Sequence, residues 1–595
     1  MTDGPPLPAT ARLSAGLVIM AVVLVSLGLF LVWPVVLLLV NSFNTANDWF
    51  VEPRQWGLSH WTSAFQRPGL LASLGNSILI WALTEACALP IGVAIAWTLA
   101  RTKIPFSHAL EFMFWVSFMV PALPTTIAWI TLMDPDIGLL NVAAMKLPFV
   151  DHGPFNIFSI PGIVWAHLMA HGISIKVMLL TPAFRNMDVT LEEAARVGGA
   201  GNLRTMMRVT LPLMVTPVVL AFSLHLLRAF QSFETEYLLG LPVGIYVYST
   251  KIFSLVRQEV PNYGEATALA SISLVIIAAI IPLQRWILQR RRYTTISGQY
   301  RPGLIDLGVG NSVAFGLIVL LLVFLTVGPV AILALGSFMN RIGYFQLGFT
   351  MKHWALVLHD PVFLKALRTT LVLSTTAAVV SPLLFSVLAY ILVRTRLPGR
   401  GVLDLMIWGS AAIPGILTGL GLLWLFLGTP GLNVLFGTIW ALLIVVILQG
   451  NTTGVNVLKG VFVQVGADME EAARVAGAGW LRTYVRIWIP LLMPTIVLLS
   501  VMSFVGAAGA TSSIILLASR DTTTLSLLAL EMASSGVNSR EAASIISLFI
   551  MAFTIGSALV ARALGLRMGL RREIRASPAQ APDQGPAELV PRLAG

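Results

Sequence analysis

His167 and His171 stand four residues apart in an apolar stretch, with Lys176 further along it. That spacing puts both imidazoles on one helical face, where they could ligate a metal or hydrogen-bond to a neighbouring helix. A hard trivalent metal prefers oxygen donors, and the single cysteine, Cys87, supports neither a thiolate site nor a disulfide framework. The histidines are therefore read as interhelical hydrogen-bonding groups, and no metal site is assigned. His225 and Arg228 share a second face, with Glu234 close behind; these three are candidates either for lining a polar path or, as Arg228 with Glu234, for an ion pair. Glu85, in another apolar block, reads as a hydrogen-bonding group between helices. No segment matches G-x-x-x-x-G-K-[ST], so the chain has no loop of that kind to cradle nucleotide phosphates. No nucleophile and base stand at matched depth, so no catalytic residue is assigned.

The elements that carry these residues belong in lipid. The chain has 595 residues, 57% of them hydrophobic and 11% charged, with a mean hydropathy of +0.85, whereas a soluble domain carries roughly a quarter charged residues. A soluble enzyme and a disordered scaffold are both excluded. Apolar windows of about 20 residues predict twelve spans, at about 14–41, 71–100, 109–133, 160–182, 209–232, 265–287, 312–338, 369–393, 403–427, 432–458, 488–508 and 541–563. The first exceeds the roughly 7–15-residue core of a cleavable signal, so it is expected to be retained. With the amino terminus inside, 25 of the 38 Lys and Arg fall on the inner side and 11 on the outer, which predicts two cytoplasmic termini. The net charge of +11 and the run Arg290–Arg292 are read as this anchoring and not as a nucleic-acid surface. The tail beyond Arg575 has no apolar periodicity and is expected to be disordered.

The chain is also a tandem duplication. LEEAARVGGAGNLRTMMRVTLPLM at Leu191–Met214 returns as MEEAARVAGAGWLRTYVRIWIPLL at Met469–Leu492, an offset of 278. LARTKIP at Leu99–Pro105 pairs with LVRTRLP at Leu392–Pro398, and Pro121 and Thr125 pair with Pro414 and Thr418, all at an offset of 293. The difference places extra chain in the first half, near 134–159. Six spans per copy make the copies parallel and put both motifs on the cytoplasmic side. Each motif reads as a short helix, a break and a second helix. The first has Glu192, Glu193, Ala194, Ala195, Gly199 and Pro212; the second has Glu470, Glu471, Ala472, Ala473, Gly477 and Pro490. Asp188 or Thr190, and Asp468, suit the amino-terminal cap, the acids suit the helix dipole, and each glycine permits the terminating turn. The alanines allow close approach by another protein. The expected division is 1–302 with its motif loop at 188–212, 303–565 with its motif loop at 466–490, and a tail at 566–595.

At these motifs the chain resembles the permease subunits of bacterial ATP-binding-cassette importers, whose EAA loop carries the coupling helix that docks on the ATPase. The resemblance implies an all-α integral membrane protein of the type I importer permease fold, with about 12 transmembrane helices in two parallel six-helix repeats. It implies an inner-membrane subunit that binds no cofactor itself and is not an enzyme. Two copies of a cytoplasmic ABC ATPase would hold ATP-Mg, and a periplasmic or extracellular solute-binding protein would deliver the solute. The GIYVYSTKIFSLVRQ stretch at Gly244–Gln258 and the YTTISGQYRPGLIDLG junction at Tyr293–Gly308 are similar to the ferric iron permease group, with 2-aminoethylphosphonate, thiamine and polyamine permeases as alternatives. In the outer part of the fifth span the first half reads LRAFQSFETE at Leu227–Glu236, and the second reads VGAAGATSSI at Val505–Ile514. The second half thus lacks the charged residue the family more often has there. A twelve-span secondary carrier is the remote alternative.

Overall fold

The structure is a computed structural model that describes residues 9–46, 53–66, 69–187, 190–228, 231–290, 304–410, 413–466, 468–534 and 540–567. The expected tail, the cap residue Asp188 and most of the 293–308 junction lie outside the described residues. What is described is helical, with three isolated β-bridges and no longer strand pairing among the described residues. This is what lipid requires, because a helix satisfies its backbone N–H and C=O groups within one segment.

The first half contains α1 (Leu17–Asn41), α2 (Leu70–Arg101), α3 (Ser107–Met119), α4 (Ala122–Met133), α5 (Ile160–Arg185), the motif helix α6 (Thr190–Val197), α7 (Val215–Arg228), the short α8 (Glu234–Leu239) and α9 (Tyr263–Arg290). The second contains α10 (Val309–Phe338), α11 (Pro361–Arg394), α12 (Arg400–Ser410), α13 (Gly415–Gly428), α14 (Ile439–Gln464), the motif helix α15 (Asp468–Val475), α16 (Trp480–Ala508), α17 (Leu525–Ser534) and α18 (Arg540–Arg567). Eight helices among the described residues are long and apolar enough to cross a membrane, or up to ten if each bent pair counts as one span.

The bent pairs correct the sequence reading. The spans expected at 109–133 and 403–427 are each broken: α3 meets α4 at 91° and α12 meets α13 at 118°. Pro121 and Pro414 stand at the breaks with extended backbone, ψ 150° and 146°. Proline has no N–H to continue the helix behind it, yet it suits the start of the next one. The span expected from 432 begins instead at Ile439, after turns that use Gly431 and Gly437 at φ +86° and +72°. The extra chain of the first half is where it was expected, since 134–159 joins α4 to α5 while 429–438 joins α13 to α14. It is organised by Asn141, whose amide donates to the carbonyls of Asp134 and Phe155. Asp134 in turn pairs with Arg540 at 2.7 Å across the two halves.

The halves exchange their first spans. The Trp33–Asn41 part of α1 packs on α13 of the second half, and the Gly328–Phe338 part of α10 packs on α4 of the first. One continuous apolar core runs through this contact and includes Leu38, Leu123, Trp129, Leu325, Leu420 and Trp424. A third echo of the duplication follows each first span. Trp61 Nε1 donates to Ser42 Oγ and stacks on Phe43, while Trp354 Nε1 donates to Ser337 Oγ and stacks on Phe338, both hydrogen bonds at 3.2 Å. The serines are 295 apart and the tryptophans 293, so a two-residue slip hides this echo from a fixed-offset comparison.

The exchanged contact is tight at Gly421, where an added Cβ would lie 2.9 Å from Pro34 Cβ and 3.1 Å from its carbonyl oxygen. Gly421→Val is expected to destabilise the chain by roughly 1–3 kcal/mol through overpacking. Gly428→Ala, which meets nothing within 4 Å, should leave the melting temperature of the detergent-solubilised protein unchanged. Equal melting of both variants would contradict this account of the exchange.

Candidate functional site

Both motif helices are eight residues long and end alike. Gly199 and Gly477 adopt φ +82° and +77°, and the residue after each returns an N–H to the helix, Ala200 to Ala195 O at 3.0 Å and Ala478 to Ala473 O at 2.9 Å. This left-handed termination satisfies carbonyls that the helix leaves unpaired. Glu193, Ala194 and Pro212 are exposed and Ala195 is half-buried; Glu471, Ala472 and Pro490 are exposed and Ala473 is buried. Val197 and Val475 stand 91% and 90% exposed at matching positions, with Leu191 and Met469 also bare. Each motif then continues through a π-helical turn, Met206–Thr210 and Tyr484–Trp488, the wide helical turn that recurs at functional sites.

The first glutamate of each motif faces inward, and the two are held differently. Glu192 is 1% exposed. Arg101, at the end of α2, donates to its Oε2 at 2.5 Å, and Thr210 Oγ1 donates to its Oε1 at 2.6 Å. Arg101 also donates to Met187 O at 3.3 Å. Its counterpart Arg394 donates to Phe462 O at 2.7 Å and Val465 O at 2.5 Å, and lies 4.9 Å from the Trp488 ring centre in a cation–π contact. Glu470 is instead bound by Tyr390 Oη at 2.9 Å. Trp488 stands where the first half has Thr210, and Tyr390 where it has Trp97. The clamp arginines were visible in the sequence as the LARTKIP and LVRTRLP echo, but were read there only as topology. The same turn meets the inter-half junction: Ile305 N donates to Arg101 O at 2.8 Å and accepts at its own O from Lys103 N at 3.0 Å. Nearby, the Asp306 carboxyl is held below the usual carboxylate range, first by the Gly308 N–H and then by Lys103.

A second constellation lies among the first-half helices. Glu85 on α2 is bonded by Lys176 on α5 and by His225 on α7. His167 Nε2 is 2.7 Å from Glu236 Oε1, and Ser232 Oγ donates to both Glu236 oxygens at 2.6 and 2.5 Å. His167 and Glu85 thus do make the interhelical bonds read from the sequence, and His225 joins them. Glu234 Oε1 accepts the backbone N–H of Ser512 at 3.2 Å, and Ser512 is its own counterpart in the other half at the 278 offset. The Arg228 side chain lies outside the described residues. Among the described residues no group of three or more His, Cys, Asp or Glu is arranged to hold a metal ion. Glu236 was not singled out from the sequence, although FETE placed it two residues after Glu234.

Lys176 and Glu85 are 1% and 3% exposed, and removing one member of such a pair strands a buried charge. Lys176→Met is expected to cost about 3–5 kcal/mol, with part of the loss recovered in Glu85→Gln/Lys176→Met. Thermal unfolding of the four proteins of this double-mutant cycle measures the coupling; simple additivity would contradict it.

Residues 383–570 match the model of the family described as "Binding-protein-dependent transport system inner membrane component". The chain is 26% identical over 383 residues to the "Ferric transport system permease protein FbpB" of Actinobacillus pleuropneumoniae, a match covering 63% of this chain and 54% of that protein. It therefore spans only about half the length of that relative. It is 24% identical to the "Probable ABC transporter permease protein y4fN" of Sinorhizobium fredii (strain NBRC 101917 / NGR234), covering 83% of this chain and 88% of that one. It is 28% identical over 242 residues to the "Probable sulfate transport system permease protein cysT" of Zygnema circumcarinatum, covering 40% of this chain and 80% of that one. The chain is a multi-span, helical membrane protein whose residues 383–570 match the inner membrane component model of binding-protein-dependent transport systems and which is similar over most of its length to an ABC transporter permease.

Proposed function

We propose that this chain is the fused membrane subunit of an ATP-driven, binding-protein-dependent importer that moves a small solute into the cytoplasm by alternating access. One observation carries the reading: two motif helices of equal length and ending present the same exposed Glu-Ala pair and the same bare valine from the two halves. An exposed apolar side chain beside a charged one, repeated at matched positions, suits a protein partner present in two copies. Those partners are two cytoplasmic ABC ATPase subunits, which hold ATP-Mg and do the hydrolysis. A solute-binding protein docks at the opposite face. ATPase closure pulls on Glu193, Ala194, Ala195 and on Glu471, Ala472, Ala473, and the two six-span halves rock about the exchanged contact. Energy enters as a preference of the closed ATPase pair for one arrangement of the halves. The Lys and Arg bias supports a cytoplasmic position for both termini.

Ferric iron is the proposed solute, supported by the ferric permease relative. The sulfate permease relative is the reason the solute needs a direct test. Iron-starved cells lacking the chain should regain uptake of radiolabelled ferric iron with the wild type, and not with a Glu193→Arg/Glu471→Arg variant that reaches the membrane. Uptake unaffected by the double reversal would overturn ATPase coupling through these helices. A deletion without an iron phenotype would overturn iron and direct the search to 2-aminoethylphosphonate, thiamine or a polyamine.

The unequal clamps predict unequal genetics. Arg101→Ala strands the buried Glu192 carboxylate, so Glu192→Gln is expected to restore much of the uptake that Arg101→Ala loses. Arg394→Ala strands the carbonyls of Phe462 and Val465 while Tyr390 still holds Glu470, so Glu470→Gln should restore nothing. ATP-dependent uptake in the two double variants, normalised to membrane content, decides it; equal rescue in both halves would refute the difference.

A further inference from the structure

Each half carries a short helix between its first and second spans, Ser59–Gln66 and Lys352–His359, and neither is long enough to cross a bilayer. Both lie by the end of α2 or α11 that is remote from the motif helices, since Arg101 and Arg394 stand at the other end. One side of each helix is held by protein. His60 Nε2 bonds Asn44 O and His353 Nε2 bonds Asn340 O, both at 3.0 Å, while Trp61 and Trp354 reach the serines at the ends of the first spans. Ala64 and Val357 are buried, and the helices pack on α9 and α18, the last span of each half.

The other side is bare and apolar in both copies. Trp56 and Phe349 are 63% and 66% exposed, Leu58 and Met351 60% and 63%, and Phe65 and Leu358 61% and 41%, each pair at the 293 offset. Leu58 and Phe65 are two helical turns apart, as are Met351 and Leu358, so each couple shares a face. The exposed polar positions among them have changed, Ser59 and Gln66 in one copy standing as Lys352 and His359 in the other. A duplicated surface that alters its polar residues and keeps its apolar ones has apolar matter against it, because a contiguous apolar patch left in water is unfavourable.

The run of the chain identifies that matter. Ser59–Gln66 ends shortly before α2 begins at Leu70, and Lys352–His359 ends shortly before α11 begins at Pro361. Leu71 and Leu364 in the first turns are bare, and so are Ile78 and Leu371 two turns further on, a stripe that belongs to the lipid-facing side of two membrane spans. α2 and α11 have 32 and 34 residues, about 48 and 51 Å of helix, against about 40–45 Å for a bilayer with its headgroup layers. Their first turns therefore stand at headgroup level. The bare faces of the short helices are continuous with this lipid-facing surface, at the depth where Trp, Phe and Leu are favoured, and neither helix contains an acidic residue.

We propose that the two short helices are a matched pair of interfacial anchors, which bury Leu58, Phe65, Met351 and Leu358 in the lipid boundary on the side opposite the motif helices. The partner of this surface is the lipid, and the surface is not a dock for a protein in the aqueous phase. Through Trp61 and Trp354 the anchors hold the ends of both exchanged first spans at the height of the membrane surface. The proposal rests on membrane insertion of the chain and is independent of the importer reading.

The test is fluorescence quenching of the full chain in lipid nanodiscs. In a Cys87→Ser background, Leu58→Cys, Phe65→Cys, Met351→Cys and Leu358→Cys each carry a single bimane label, and two positions per half keep the comparison readable if one label prevents folding. Leu83→Cys, exposed deeper along α2, and Asp151→Cys, exposed in the 134–159 segment, are the lipid and water references. The quenchers are phosphatidylcholine with a nitroxide near the glycerol, the same lipid with the nitroxide near the chain end, and aqueous iodide. At the four anchor positions the nitroxide near the glycerol is expected to quench about twofold or more strongly than the one near the chain end, as suits a face buried about 5–10 Å into the boundary. Iodide should quench there as little as at Leu83→Cys. Iodide quenching equal to that at Asp151→Cys would put the face in water as a protein-docking surface and overturn the proposal. Stronger quenching from the chain end, or lipid quenching confined to one half, would also overturn it.

Discussion

Lipid offers no hydrogen bonds, and most of what is unusual in this chain follows from that constraint. Helix breaks and ionisable side chains survive only where protein surrounds them. Pro121 and Pro414 interrupt their helices and are both buried, and the helices that follow them, α4 and α13, pack on α10 and α1. Glu85, Lys176, His167 and Glu236 likewise meet one another between helices. The exchange of first spans and the inward polar cluster are thus two answers to one requirement.

The duplication supplied a symmetric frame that has since been used asymmetrically. The motif helices keep their length, their left-handed ends and their exposed valines, the features that an identical pair of partners would require. Behind them the frame has drifted. One buried glutamate is neutralised by an arginine, and the other is bound by a tyrosine while the arginine turns to carbonyls and a tryptophan ring. The intramembrane residues drifted further, since Glu85 and Glu234 of the first half have Ala378 and Ser512 as their counterparts in the second. Glu234 reaching Ser512 N–H shows how the divergence is accommodated, since a carboxylate in one copy meets a small neutral residue in the other.

The sequence showed the repeating units better than their geometry. Apolar length located most spans, and the two motifs were legible because Glu-Ala-Ala and the terminating glycine impose the same local structure wherever they occur. The breaks at Pro121 and Pro414 were not legible, although both prolines were noted as a matched pair. Hydropathy runs on without interruption through Val120–Ala122 and carries no information about direction. The partners of Glu85 and Glu192 were equally hidden. Each bond spans 91 residues of chain, and nothing local in α2 states which later helix will pack on it. Glu192 and Glu193 differ by one position on a helix, about 100° of rotation, which separates a buried clamp from an exposed face. That distinction depended on where α2 ends.

The exchanged first spans bear on how the protein is made. Pro34 packs on Gly421, a residue synthesised 387 positions later, and at about 5–20 residues per second this interval is on the order of 20–80 s. Through that time α1 has α9 of its own half to pack on but not α13. Its mostly aliphatic composition makes the wait tolerable, because Leu, Val and Phe are as comfortable against acyl chains as against α13. The Glu85–Lys176 and His167–Glu236 pairs, in contrast, are complete within the first 236 residues, whereas Asp134 waits for Arg540. The order of the chain thus lets those two intramembrane pairs close early and leaves most of the joining of the halves to apolar side chains, for which delay costs little.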